Sequence, residues 1–485
     1  MLFLPLLLLI AADDQPKDTG AQLAAELKKF VGVFNVMDQD GADPVPPEIA
    51  LYQGAIPSML RTLDPHSIFF DPGQYDQLKQ MEKSESKGFG TIVNVLPGRV
   101  IVLQTLPGTP SQKAGLSAGD EIMNINGYTV ARLDFDQLVQ LLTIARQKEA
   151  FLEVRKPGSA RMVRVTLTPE LVEASSVDRA FILAPGIGYV RVSSFEVATG
   201  KLIKTTIDKL GGEGLKGLVL DLRGNPGGVV EAAVEMASLF LKQDQLVFTI
   251  KGRKQKTEEV RTEEAKPYTF PIAILIDSKS ASASEIVTGA LQDHDRATVL
   301  GEQSFGKGLV QSVYPMSSGT GLALTVAFYY TPSGRSIQHP LEGSTLEATA
   351  AGFKGTYHTD AGREVRGGGG IQPDEVVYPP AQDRLSMVLD ASGAITSFAS
   401  EYLQQHQIHE DFEVTPAILD ELKLYLGDRN ISPGPGDWSS HRTWIESRLK
   451  QELMTLSFGV SKGDEIELQR DPVVQRALAI VGARH

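Results

Sequence analysis

The sequence predicts a multi-domain α/β protein, with a β-rich domain, an α/β core built from strand-loop-helix units, and flanking helical segments. Three observations carry this. The chain has 485 residues, which at about 150 residues per domain corresponds to about three domains. Its texture changes from helical to alternating and back along its length. Two apolar runs of strand length each lead through a glycine- or serine-rich turn into helical spacing. With 42% hydrophobic and 22% charged residues, the chain can bury a sizeable core and lacks the polarity of a disordered one.

Charge and cysteine content exclude whole classes of function. Lys+Arg 47 against Asp+Glu 60 leaves a formal charge of −13 with no compensating basic patch, which repels nucleic acid and anionic membranes. Cysteine is absent, so disulfides, thiolate zinc sites, cysteine nucleophiles and lipid attachment at a cysteine are ruled out. Any nucleophile must be oxygen or nitrogen.

The elements follow in order. Leu2 to Ile10 is an apolar run too short to span a bilayer, followed by Ala11, Ala12, Asp13 and Asp14. Residues 1–12 therefore read as a clipped export signal to the periplasm or cell envelope; no Lys or Arg precedes the run, and an uncleaved anchor or truncated start stays open. Residues 13–87 form an N-terminal helical segment, broken around Asp38 to Pro47 and at Leu63-Asp64-Pro65-His66-Ser67. Residues 88–169 carry short alternating strands and end in a hairpin turning at Pro157-Gly158. Residues 170–380 hold the α/β core. Gly217 to Leu222 is a buried strand ending at Asn225-Pro226-Gly227-Gly228, after which Val229, Ala233, Met236, Ala237 and Phe240 show helical spacing. A second such unit is Ile272 to Ile276, the turn Ser278 to Ser284, and a helix carrying Ile286, Ala290 and Leu291. Leu309 to Tyr314 and Leu322 to Tyr330 form a hairpin. Residues 381–485 are helical again, with stripes through Ile395, Phe398 and Tyr402 and through Ile418, Leu422 and Leu426 that serve as core or subunit contact.

Two motifs mislead. Gly115-Leu116-Ser117-Ala118-Gly119 matches a nucleophile elbow, but a helix precedes it and a strand follows, the reverse of what an elbow needs. Gly301, Gly306 and Lys307 match a phosphate loop, yet Gly308 stands where Ser or Thr would hold magnesium. No pair of the eight histidines has metal-ligand spacing, and no metal or cofactor is expected. What remains is Ser280-Ala281-Ser282-Ala283-Ser284-Glu285 at a helix start, and a lysine between glycines at Lys307. Acyl transfer by serine needs a base, which a lysine can supply once deprotonated, and two aimed N–H donors for the oxyanion. The residues alone also fit serines that merely cap a helix and a solvated lysine in a turn.

At these residues the sequence resembles the C-terminal processing peptidases, or tail-specific proteases. The resemblance runs from Leu63 to about Val377 and rests on Asp221 to Gly228, Ser280 to Glu285, Phe305-Gly306-Lys307-Gly308 and Tyr330-Thr331-Pro332-Ser333-Gly334. It implies a serine endopeptidase with a Ser–Lys dyad: Ser282 as nucleophile, Lys307 as base, Gln311 orienting the lysine, and the backbone N–H groups of Gly228 and Ala283 as oxyanion hole. It also implies that residues 88–169 are a PDZ domain. Gly88, Phe89, Gly90 and Thr91 would bind a peptide C-terminal carboxylate, and Ile92 to Val95 would accept the peptide as an added strand. Thr91 is less apolar than the family's usual residue there. The expected partners are polypeptides with accessible C-terminal tails and no nucleic acid, with a homo-oligomer and an adaptor protein left open. The rival reading is a non-catalytic PDZ scaffold of the cell envelope.

Overall fold

The computed structural model describes residues 19–82, 87–159, 161–172, 175–253, 256–263, 266–341, 343–344, 354–379, 381 and 383–483. The expected export signal, residues 1–12, lies outside them. The chain divides into two compact units that meet between Thr62 and Leu63. The first holds helix α1 (Thr19–Asp40) and a helical stretch over 47–61.

The second unit opens with a feature that the helical reading of residues 13–87 did not contain. Asp64, buried, accepts from the N–H groups of His66 (2.7 Å) and Ser67 (2.8 Å) and from the Ser67 hydroxyl (2.7 Å). This side-chain turn releases strand β1 (Ile68–Phe70), which pairs antiparallel with the distant strand Gly321–Tyr330, before α2 (Pro72–Glu82) begins. Three residues are too few to display alternation. The strand exists because its partner does.

The β-rich region contains β2 (Thr91–Leu96), β3 (Arg99–Thr105), β4 (Glu121–Ile125), helix α3 (Phe135–Ala145), β5 (Ala150–Arg155) and β6 (Met162–Leu167). They form one sheet in that strand order, with β2 at an edge. Asp134 caps α3 in a reciprocal box with Gln137, and Leu138 of α3 is fully buried among Val102, Ile125 and Val154. Ser117 lies in a turn where Asp120 accepts its N–H at 2.9 Å, a structural role.

The core holds β7 (Val177–Ala184), β8 (Ile187–Val192), α4 (Thr199–Leu210), β9 (Gly217–Asp221), α5 (Val230–Ser238), β10 (Leu246–Gly252), β11 (Glu258–Arg261), β12 (Ile272–Ile276), α6 (Ala283–Asp293), β13 (Ala297–Gly301), β14 (Leu309–Pro315), β15 (Gly321–Tyr330) and β16 (Glu375–Val376). One sheet runs β7-β8-β9-β12-β13-β16, parallel except for β7. A second runs β1-β15-β10-β11, with β14 also paired to β15. A parallel sheet is covered on both faces, and period-two alternation divides its residues accordingly. Leu218, Leu220, Ile272 and Ile274 face α4, α5 and α6. Val219, Ala273, Leu275 and Leu300 face the other way.

The cover for that second face comes from far along the chain. Helices α7 (Ala394–Gln405), α8 (Pro416–Gly427) and α9 (Pro435–Phe458) build a core of their own around Phe398, Leu422 and Ile445. They are followed by α10 (Val460–Leu468) and α11 (Pro472–Gly482). Val473, Val474, Ala477 and Val481 of α11 pack on the sheet and are at most 1% exposed. Burying each such valine contributes about 1.5–3 kcal/mol. Gly217 allows the approach, since a Cβ there would stand 3.0 Å from Val481 Cβ.

Candidate active site

Two loops leave the carboxyl ends of adjacent parallel strands, the usual place for an α/β site. After β9 the chain turns at Asn225, whose Oδ1 accepts from Gly227 N (2.8 Å) and whose Nδ2 donates to the Val192 carbonyl (2.8 Å). After β12, Asp277 Oδ1 accepts from Ser280 N (3.0 Å) and from Gly224 N (2.9 Å) of the first loop. The loops are then sewn together. Ser280 Oγ donates to the Leu222 carbonyl (2.8 Å), Ala281 N to the Asn225 carbonyl (3.0 Å) and Ser284 Oγ to the same carbonyl (3.1 Å).

This separates the three serines by role. Ser280 and Ser284 are 0% exposed and their hydroxyls are committed to backbone carbonyls. Ser282 is half-buried and donates to neither carbonyl; it begins α6 with φ 54° and ψ −113°. A non-glycine residue in that region is strained and held there by its surroundings. The first loop presses on it. A Cβ placed on Gly227 would stand 2.8 Å from Ser282 Cβ and 2.9 Å from Ala283 N. Gly228, at φ 144°, continues the loop. Neither Gly228 N–H nor Ala283 N–H has an acceptor among the described residues.

Glu285 joins the serine turn to the lysine turn. Its carboxylate is 1% exposed. Oε2 accepts from Ser282 N (2.9 Å) and Lys307 N (2.9 Å), while Oε1 accepts from Gly306 N (2.7 Å) and Ser304 Oγ (2.5 Å). Burial pushes this carboxyl up, against four donors that favour its ionised form. In the sequence Glu285 reads only as the end of a serine-rich turn. Its signal was a capping-box position three residues after Ser282.

Lys307 is half-buried. Its charge is felt at His66, whose imidazole is held below its ordinary value first by burial and then by Lys307, against Asp64. Gln311 does not bond the lysine in this structure. Its Nε2 donates to the His66 carbonyl at 2.7 Å, so β14 is tied to the turn that precedes β1. In the sequence Asp64 to Ser67 reads only as a break between helices, yet in the fold this turn lies beside the lysine.

The expected peptide-binding residues line a groove. Between the edge strand β2 and α3 lies a cavity of about 450 Å³, bordered at one end by Gly88, Phe89, Gly90 and Thr91 and along its length by Val93 and Leu142. Gly90 has φ 71°, and Thr91 Oγ1 pairs with Ser111 Oγ. An edge strand beside an apolar cleft can take an extended peptide as a further strand. No cluster of residues able to hold a metal ion occurs among the described residues, and no helix there is long and apolar enough to cross a membrane.

An α/β core with a strained serine at a helix start, joined to an edge-strand peptide groove, defines a class: a serine peptidase carrying a peptide-binding module. Family models describe the same two parts, with "Peptidase family S41" matching residues 186–345 and "PDZ domain" matching residues 78–155. A carboxyl-terminal-processing protease of Synechocystis is 36% identical over 333 residues, covering 67% of this chain and 71% of the relative. A carboxy-terminal-processing protease of Bartonella bacilliformis is 34% identical over 344 residues, covering 69% and 78%. Among solved structures, a photosystem II D1 C-terminal processing protease aligns with TM-score 0.41 and 25% identity, covering 73% of this chain and 93% of that one. The chain belongs to the carboxyl-terminal-processing proteases of peptidase family S41. It is a PDZ-containing serine protease that acts on polypeptides.

Proposed function

We propose that this protease works through a Ser282–Lys307 dyad and selects its substrates by their C-terminal tails. Lys307, as the free amine, takes the proton from Ser282 Oγ as that oxygen attacks the scissile carbonyl. The oxyanion is held by the N–H groups of Gly228 and Ala283. The lysine ammonium then gives its proton to the leaving amine, and an acyl-enzyme remains. Water attacks the ester, Lys307 accepts its proton and returns it to Ser282 as the acid leaves. Gln311, fixed by its nitrogen on the His66 carbonyl, accepts from the Lys307 ammonium with its oxygen and so orients it.

The observation that carries this reading is the division of labour among the serines: Ser280 and Ser284 spend their hydroxyls on the neighbouring loop, and Glu285 binds the turns of Ser282 and Lys307 together. The test is a set of single substitutions assayed on an unstructured polypeptide. Ser282→Ala abolishes cleavage, while Ser280→Ala and Ser284→Ala each keep most of it. Ser284→Ala loses about 1 kcal/mol of stability for one neutral hydrogen bond, and Ser280→Ala loses more, because the Ser280 Oγ also accepts from Asp277 N at 3.0 Å. Lys307→Arg is nearly inactive, because arginine stays protonated. Full activity in Ser282→Ala removes the assignment.

In the same reading residues 88–169 form the PDZ domain, 170–380 the peptidase core and 381–485 a helical region, after an N-terminal helical segment 13–87. The tail carboxylate is held by the loop Gly88 to Thr91, and residues 1–12 export the protein to the periplasm or cell envelope and are removed. A free-acid peptide binds the isolated fragment 88–169 at least about tenfold more tightly than its amidated form, on the scale of one charge-assisted hydrogen bond. Equal affinities by calorimetry exclude carboxylate recognition. N-terminal sequencing of envelope-purified protein finds a start near Asp13, and Met1 would refute cleavage.

A further inference from the structure

We infer that Asp471, in the helical region far along the chain, is a positioning residue for the loop that carries Gly228. The inference rests on the proposed role of that loop as oxyanion hole. Arg223 stands between β9 and the Asn-Pro-Gly-Gly turn. One carboxylate, Asp221, grips its Nε at 3.0 Å and its Nη2 at 2.6 Å; a second, Asp471, accepts from Nη1 at 2.7 Å. Tyr189 donates its hydroxyl to Asp221 Oδ2 at 2.7 Å and locks that partner in turn.

Asp471 is not a loose surface partner. It caps α11, with Oδ1 accepting from Val473 N (2.9 Å) and Val474 N (3.2 Å), which leaves Oδ2 for Arg223. The two valines it caps are at most 1% exposed against the parallel sheet. The carboxylate is thus anchored to the same sheet whose strand β9 delivers the loop. Arg223 is held between two fixed anions by charge-assisted bonds, and the residues that follow it can shift only if one anion lets go. Asp221 lies on the strand before the loop and fixes where it starts. Asp471 approaches from a separate element and fixes the direction in which it leaves.

The two oxygens of Asp471 serve different masters, and substitutions can separate them. Asp471→Ser keeps a good helix cap but is too short to reach Arg223. Asp471→Glu keeps a carboxylate for Arg223 but is a poor cap. If Asp471 positions the loop, Asp471→Ser lowers kcat about tenfold, part of the loss expected when an oxyanion donor is removed outright. Its KM stays near that of the parent, its thermal midpoint drops with the lost charge-assisted bond to Arg223, and Ser282 still labels stoichiometrically with a fluorophosphonate, more slowly. Asp471→Glu keeps kcat and loses thermal midpoint. If Asp471 only caps the helix, the order reverses, with the Glu variant impaired and the Ser variant normal, and that result overturns the inference. Ser282→Ala is run beside them: a dead Ser282→Ala with normal Asp471→Ser refutes the positioning role alone, whereas an active Ser282→Ala refutes the site on which it rests.

Discussion

Replacing Gly227 by alanine tests whether the loop after β9 and the serine turn form one mechanical unit. Gly227 has φ 97°, and an added Cβ would meet Ala281 O at 2.7 Å, Ser282 Cβ at 2.8 Å and Ala283 N at 2.9 Å. Two costs follow. The backbone conformation alone costs roughly 1–3 kcal/mol for a residue with a side chain. The contacts are with backbone and Cβ atoms that have no flexible end to swing away, so the Ser282 turn itself must move by some tenths of an ångström. Since a displacement of about 1 Å at reacting atoms costs about 100-fold in rate, Gly227→Ala should lower kcat by roughly 10- to 100-fold. Gly224→Ala is the control. Its φ is 71°, but its Cβ would meet only Arg191 Nη2, at 3.9 Å. It suffers a similar conformational cost, visible in thermal unfolding, and should keep activity within about threefold, because Ser282 is not pushed. The assay is cleavage of a quenched fluorescent peptide, paired with the rate of fluorophosphonate labelling and a thermal melt. Activity within threefold of the parent in Gly227→Ala, or an equal loss in Gly224→Ala, refutes the mechanical coupling of the two loops.

Glu285→Gln should lose at least about tenfold in kcat, because its amide NH2 must face two of the donors that the carboxylate now accepts; peptide cleavage compared with the circular dichroism of the folded protein checks this. Gln311→Ala frees the His66 carbonyl and should reduce kcat by less than Lys307→Arg does, and steady-state kinetics of the two variants rank them. Asp464 is pushed up to about 6, first by burial and then by Glu467 and Asp178, against Arg179. Its folded value lies above the ordinary carboxylate range, so its contribution is present at low pH and lost as pH rises through about 6. Asp464→Asn should therefore flatten the dependence of Tm on pH between about 4 and 7, and an unchanged profile would show that this group does not titrate there.

The parts of the fold that were legible in the sequence are those whose signal is local. Gly217 to Asp221 and Ile272 to Ile276 are unbroken apolar runs because both faces of the parallel sheet are buried, and Leu309 to Tyr330 reads as a hairpin because its turn lies between its strands. The illegible parts depend on partners far away. Ile68–Phe70 is a strand only through its pairing with Gly321–Tyr330. Val473, Val474, Ala477 and Val481 fall in residues 381–485, which the sequence marks only as helical, and nothing local says that they cover the core sheet. The serine stretch shows the same limit within a few residues. The residues present three hydroxyls, and which one is uncommitted depends on where the Leu222 and Asn225 carbonyls lie. Gln311 is expected to orient Lys307, and nothing local says that its amide nitrogen also donates to the carbonyl of a residue from before the β-rich region.

The placement of α11 sets a timetable for synthesis. A ribosome emits the N-terminal parts of a chain first, at about 5–20 residues per second. Ser282, Lys307 and the loop through Gly228 therefore leave it well before residues 472–482, whose side chains close the second face of the sheet that holds them. Until those residues emerge, Val219, Ala273, Leu275 and Leu300 have no helix over them, and the strands that aim the two loops lack one wall of their packing. A nascent chain thus carries the proposed Ser282 and Lys307 site on a sheet that still lacks one wall of its packing, and that wall is completed only when α11 arrives.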